Sequence, residues 1–237
     1  MVWPGLEKTQ ISISSKRKVV KTPPYSSYNR YFLIPFILWI ITGGLALVVS
    51  DKESLFRFFN TNHLPLLDTF VPFITMMGEG LVIAIILVGL LAIPAFQNWW
   101  YVTAAVACTV LPSLATQVIK RLINAERPLT YFKKAEWVRI LPGWEQDFYN
   151  GFPSGHSCGA FAMFCLLACL LPLKYRSLGI LFFVLALSVA YSRMYLSAHF
   201  FADVYIGSLI GVLFAVSILS LLRRHSSKFF KKKPEIN

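Results

Sequence analysis

Acidic residues are scarce in this chain. Eleven Asp and Glu stand against 23 Lys and Arg among 237 residues. Charged residues of both signs make up 14%, well under the roughly 25% of an ordinary soluble domain. No tight group of Asp and Glu offers the carboxylates of a two-metal site. The four cysteines, Cys108, Cys158, Cys165 and Cys169, sit within apolar runs and form no close metal-type pair. They read as buried thiols. No internal repeat is present, which weighs against a transporter built from repeated halves. No cleavable signal peptide is evident, because the first apolar run begins near Tyr31 and is long enough to remain as a span.

Hydrophobic residues, by contrast, make up 56% of the chain. Several uninterrupted apolar runs reach the roughly 20 residues that a membrane-crossing helix needs. The fold class expected is all-α: a polytopic membrane helix bundle with about six transmembrane helices. The spans are expected near 31–50, 80–96, 101–120, 155–171, 178–190 and 203–222. Residues 51–79 mix charge with aromatics and are broken by Pro65 and Pro72, so they read as a segment lying along the membrane surface. A partly embedded re-entrant piece is the alternative. Trp99, Trp100 and Tyr101 suit an interfacial aromatic belt. The polar loop 121–153, with Trp137, Trp144 and several charges, is expected to cap a site or touch substrate. The domain plan is a basic tail over 1–30, a membrane domain over 31–222 with its motif core at 120–203, and a second basic tail over 223–237.

A net charge of +12 would suit a nucleic-acid binder, but its placement does not. The basic residues crowd the two ends, where they serve topology and lipid contact. Nucleic acid is therefore not an expected partner. If both tails are cytoplasmic, the inner parts hold fourteen of the 23 basic residues and two of the eleven acidic ones. That agrees with the positive-inside tendency. It turns the ends of the motif-bearing helices outward.

Three polar clusters lie at the ends of apolar runs. Ionisable groups at such places are costly and are functional by default. The first is Lys120 with Arg127-Pro128; Pro128 pushes Arg127 toward an extended geometry just past a helix end. Alone, this pair also fits cations that merely snorkel at the end of a span. The second is Pro153-Ser154-Gly155-His156 at the start of a span. Ser154 suits an N-cap and Gly155 allows close approach of backbone to a bound group. Free amides and the helix dipole attract an anion there. The third runs Ser192-Arg193-Met194-Tyr195-Leu196-Ser197-Ala198-His199 and on to Asp203. His199 and Asp203, four residues apart, would sit side by side on a helical turn. A carboxylate on one ring nitrogen leaves the other as a nucleophile, and Arg193 adds a bidentate phosphate donor.

Together the stretches KRLINAERP, PSGH and SRMYLSAHFFAD resemble the type 2 phosphatidic acid phosphatase superfamily, which shares its site with the vanadium haloperoxidases. Every position of that family's pattern, Lys-x6-Arg-Pro, Pro-Ser-Gly-His and Ser-Arg-x5-His-x3-Asp, is filled. The resemblance implies an acid phosphatase/vanadium haloperoxidase-like core and a metal-independent lipid phosphatase without cofactors. It implies His199 as the nucleophile that forms a phosphohistidine, Asp203 as its orienting acid, and His156 as proton donor and later base. Lys120, Arg127, Arg193, Ser154 and Gly155 would bind the phosphate. A site at the membrane edge suits a lipid phosphate or pyrophosphate, with candidates including phosphatidate, undecaprenyl pyrophosphate and lipid A. The expected location is a bacterial inner membrane, with the site on the periplasmic side. Transfer of the phosphoryl group to another acceptor uses the same intermediate and stays open, as does a non-catalytic transporter or lipid-binding protein.

Overall fold

In the computed structural model the described residues are 28–61, 64–133, 135–144 and 147–226. Most of both expected tails lies outside them. Where the tails meet the bundle, helix begins at Arg30 and ends at Arg224, so Arg223 and Arg224 belong to the last helix rather than to a tail.

The described residues are helical, with no strand among them. In order they form α1 (Arg30–Val49), α2 (Lys52–Thr61), α3 (Pro65–Met76), α4 (Gly80–Ala92), α5 (Trp99–Ile123), α6 (Pro128–Tyr131), α7 (Gly155–Leu170), α8 (Gly179–Tyr195) and α9 (Phe201–Arg224). Short 3-10 turns cover Pro94–Phe96 and Leu173–Leu178. The helix ends follow local chemistry. Asn29 caps α1 by accepting from the Tyr31 amide, and Asn98 caps α5 by accepting from the Trp100 amide. Asn124, in the left-handed region at φ 43°, ends α5; short polar side chains tolerate that conformation.

Helix α7 sits at the centre, packed against α9, α8 and α5. Its contact with α9 is backbone to backbone. Gly207 and Gly211 lie one turn apart on α9, and a Cβ on either would meet the α7 backbone at Ser154 or Cys158. Small residues at this spacing let membrane helices approach closely.

The outer faces are apolar. On α5 the exposed residues include Val106, Val110, Leu114 and Val118, four positions at helical spacing on one stripe. On α1 they include Ile34, Leu38, Ile41 and Leu45. A water-facing surface does not carry such stripes on several helices. Polar and charged groups are drawn inward instead, among them Asn60, Lys120, Arg127, Arg193 and His199. The protein is an integral membrane helix bundle.

The expected count of six spans is not what length and composition give. Among the described residues four helical stretches, those carrying α1, α5, α8 and α9, are long and apolar enough to cross. The pair α3 and α4, bent by 64°, brings the count to five if it is one broken span. Helix α7, at 16 residues, spans only about 24 Å at 1.5 Å per residue and is wrapped by its neighbours. The reading of 51–79 as a surface segment also changes. Pro65 opens α3 at its first turn and Pro72 lies inside it, so neither ends the helix. The break falls at residues 77–79, and α3 and α4 form a bent pair of the re-entrant or broken kind. The aromatic belt is narrower than expected: Trp99 is exposed, but Trp100 and Tyr101 are buried, with the Trp100 indole N–H donating to the Leu222 carbonyl at 3.1 Å.

Candidate active site

The three sequence clusters converge at one end of the bundle. The amide of Ser154 donates to the carbonyl of Asp203 at 2.9 Å, tying the second cluster to the third. Arg127 Nη1 reaches the Ala198 carbonyl at 3.4 Å, tying the first to the third. A Cβ on Gly155 would lie 4.0 Å from Lys120 Cε, which places the first beside the second.

Lys120 lies in the last turn of α5 and is buried, with Nζ donating to the Asn150 carbonyl at 2.7 Å. Arg127 stands just before α6, extended as the following proline requires. Its Nε donates to the Tyr149 carbonyl at 2.9 Å, and Nη1 pairs with Asp147 at 3.0 Å. Arg193 lies in the last turn of α8, with Nη1 donating to Thr75 Oγ1 at 2.8 Å. Its Nε is buried without a hydrogen-bond partner. A buried guanidinium donor left idle is costly unless an anion completes it.

Ser154 is the N-cap of α7, accepting from the Ser157 amide at 3.3 Å and from the Ser157 hydroxyl at 3.0 Å. Its acceptor capacity serves the helix, and its own hydroxyl proton is left to donate. His156 follows on the first turn of α7 and is half-buried.

His199 and Asp203 meet by a route other than the expected helical turn. His199 precedes α9, whose N-cap is Phe200, and Asp203 is the third residue of the helix. The Asp203 carboxylate accepts from the Phe200 amide at 2.9 Å and lies 3.4 Å from His199 Nδ1. The first contact holds the acid firmly; the second is loose for a hydrogen bond. Since Nδ1 faces the acid, Nε2 is the nitrogen left for other chemistry.

The electrostatics of this end are lopsided. Both imidazoles lie within reach of Arg193, Arg127 and Lys120. Burial first, and then those cations and His156, hold His199 well below the ordinary imidazole range. It is therefore neutral at physiological pH. Against the three cations stand Asp147, whose side chain is 71% exposed, and Asp203.

An open cavity of about 470 Å³ adjoins the cluster, lined by Arg127, Gly143, Trp144, Asp147, His156, Arg193 and Ala198. Three of the expected residues, Arg127, His156 and Arg193, thus face it. Lys120, His199 and Asp203 are buried beside it, with His199 only 1% exposed. Among the described residues no group of three or more His, Cys, Asp or Glu could hold a metal ion.

Known proteins resemble this chain in sequence and in fold. The model of the PAP2 superfamily matches residues 97–227, more than half of the chain. The chain belongs to the PAP2 superfamily. Among similar proteins is a lipid A 4'-phosphatase of Bacteroides thetaiotaomicron, 29% identical over 172 residues, or 69% of this chain and 73% of that one. A lipid A 1-phosphatase of Rhizobium johnstonii is 28% identical over 126 residues, 53% of this chain and 49% of that one. The crystal structure of Aquifex aeolicus LpxE superposes with a TM-score of 0.62 at 26% identity, covering 71% of this chain and 94% of that one. The transmembrane PAP2 type phosphatidylglycerolphosphate phosphatase of Bacillus subtilis has the same fold, with a TM-score of 0.59 at 22% identity, over 82% of this chain and 97% of that one.

Two elements of this PAP2 site were not singled out in the sequence. Thr75, on α3, holds Arg193. Asn60, on α2, is fully buried and donates to Ser197 Oγ at 2.8 Å, to the Arg139 carbonyl at 3.2 Å and to the Tyr195 carbonyl at 3.3 Å; it also accepts from the Arg139 amide at 2.8 Å. Neither belongs to a motif. Both lie in 51–79, where interruption by proline hid helices that reach the site. Of the two tryptophans noted in the polar loop, Trp144 lines the cavity, while Trp137 packs with Phe56 and Phe132 away from it.

Proposed function

We propose that this membrane lipid phosphatase hydrolyses a lipid phosphomonoester or pyrophosphate through a phosphohistidine on His199, without a metal, at the outer membrane face. The observation that carries the reading is the gathering of three buried cations and two imidazoles, with Arg193 Nε left unpartnered, beside one open cavity. A tetrahedral dianion is the ligand that fits such a charge surplus. The three cations also repel a divalent metal, so they support charge stabilisation by side chains alone.

The chemistry divides as follows. The phosphate settles among Lys120, Arg127 and Arg193, with the Ser154 hydroxyl and the Gly155 amide completing its oxygen contacts. His199 Nε2 attacks phosphorus in line as the bond to the leaving oxygen breaks. His156, charged once the phosphate dianion offsets the three cations beside it, gives that oxygen a proton. Asp203, anchored by the Phe200 amide, keeps the Nδ1 proton in place and stabilises the positive ring. Water, deprotonated by His156, then attacks the phosphohistidine and releases inorganic phosphate and neutral His199. Positioning and electrostatics supply most of the acceleration in such transfers. Because His199 is buried beside the cavity, the phosphate must enter past its mouth to the level of the cations, while the acyl chains remain in lipid.

The test is phosphate release from lipid phosphates by the purified protein in detergent. His199→Ala is expected to abolish turnover, and excess EDTA to leave the wild type unaffected. Turnover retained in His199→Ala overturns the nucleophile, and loss on chelation overturns metal independence.

A further inference from the structure

The cavity holds more than a phosphate site. Its volume of about 470 Å³ falls in the range of roughly 300–1,000 Å³ typical of pockets that enclose ring-sized ligands. Its cationic wall is Arg127 and Arg193. Three further lining residues come from the polar loop and have a different chemistry: Gly143, Trp144 and Asp147.

Trp144 is held rather than loose. Its amide closes a turn on the Leu141 carbonyl at 3.2 Å, with Gly143 at φ 77° in the left-handed region that favours glycine. Its side chain packs against the buried group of Val71, Tyr195 and Leu196. Tyr195 and Leu196 lie two and three residues after Arg193, so the indole is seated on the segment that carries a phosphate-binding cation. Asp147 is 71% exposed at its side chain and pairs with Arg127 among the described residues. An ionised carboxylate has about four acceptor positions, so one ion pair leaves this cavity-lining side chain with acceptor capacity to spare. Arg127 likewise has five N–H donors and does not exhaust them on Asp147.

A fixed indole beside a carboxylate with spare acceptor capacity is the chemistry that recognises a saccharide. The C–H face of a pyranose packs on an aromatic ring, and its hydroxyl or amino N–H and O–H groups donate to the carboxylate. A glycerol headgroup has no ring face to offer and would leave the indole side of the cavity to water.

We propose that Trp144 and Asp147 form a saccharide subsite next to the phosphate pocket, so that the preferred substrate is a lipid whose phosphate is carried on a sugar ring. This rests on the phosphatase reading above and names its substrate class. The bond broken is the same: the phosphoryl group leaves the sugar oxygen, which takes its proton from His156.

The experiment compares two substrates in the same detergent micelles, an acylated glucosamine phosphate and dioleoyl phosphatidate, with wild type, Trp144→Ala, Trp144→Phe and Asp147→Asn. Wild type is expected to favour the glucosamine lipid by at least about tenfold in kcat/KM. Trp144→Ala and Asp147→Asn should each cut that preference about tenfold or more, through a higher KM for the glucosamine lipid. Trp144→Phe, which keeps a ring, should retain more of the preference than Trp144→Ala. A wild-type ratio near one overturns the subsite. So does a fall of the same proportion on both lipids in the two variants, which is also the signature of mere misfolding. Phosphate release from neither lipid overturns the phosphatase reading itself, and the subsite with it.

Discussion

His199 is neutral because of where the chain puts it. Burial removes water from the ring, and Arg193, Arg127 and Lys120 repel a proton from it. The consequence reaches beyond catalysis. In the unfolded chain an imidazole takes up a proton below about pH 6.5, while the native ring stays neutral well below that. The unfolded state then binds the extra proton, so stability falls as pH drops through 6.5 and is unaffected by this group above it. The slope for one such group is about 1.4 kcal/mol per pH unit. Thermal unfolding in detergent between pH 7.5 and 5 should therefore show a smaller acid loss in His199→Asn than in the wild type. Equal losses would show that the ring is not held neutral. Every residue of the three motifs reaches the same end of the bundle, because each motif marks a helix terminus: the end of α5, the start of α7, the end of α8 and the start of α9. Which of them face the cavity was not legible. Lys120, His199 and Asp203 read no differently from Arg127 and Arg193, and only packing separates those beside the cavity from those lining it.

The same end of the bundle shows, at the scale of elements, how little of the site's support lies in the motifs. Helices α2 and α3 act as a buckle over the segment from Arg193 to His199. Asn60 binds that segment at Tyr195 and Ser197, and binds the polar loop at both the amide and the carbonyl of Arg139. Asp68 on α3 pairs with Arg139 at 2.6 Å and accepts from the Tyr195 hydroxyl. Ser197, at φ 57°, is kept in the left-handed region, which is unfavourable for a residue with a side chain. Asn60→Ala removes this hub and leaves buried groups without partners, each costing about 1–3 kcal/mol. The expected result is a lower melting temperature in detergent and a fall in kcat with KM little changed, because the turn bearing His199 loosens while the cations remain. An unchanged melting temperature and kcat would show the hub to be dispensable. The sequence hid this element for a physical reason. Two prolines and mixed charge look like an interruption, yet proline is well placed at a first helical turn, and α3 starts at Pro65.

At the scale of the whole molecule, the lipid-facing stripes and the inward polar groups fix the environment, and the helix order follows from apolar runs that the sequence displays openly. The span count was less legible because composition registers an apolar run but not the packing around it. Helix α7 is as apolar as a span but shorter, and it is central because α5, α8 and α9 surround it. The bent pair α3–α4 places its turn against α7 and α8, where a Cβ on Gly78 would press on Val189 and on the His156 carbonyl; this contact at the level of the site is a long-range feature that no local pattern encodes. The charge distribution of the sequence predicts which way the assembly faces. If both tails are cytoplasmic, the parts on their side of the membrane hold fourteen of the 23 basic residues, most of them in tails outside the described residues, so the motif end is expected to face outward. Single cysteines can decide it, since the four native thiols are all buried and give little background. Glu136, on the polar loop, and Lys174, in the turn before α8, are both exposed. A membrane-impermeant maleimide applied to intact cells should label Glu136→Cys but reach Lys174→Cys only after permeabilisation. Labelling of Lys174→Cys alone in intact cells would reverse the orientation, place the phosphate pocket on the cytoplasmic side and leave the excess of positive charge outside.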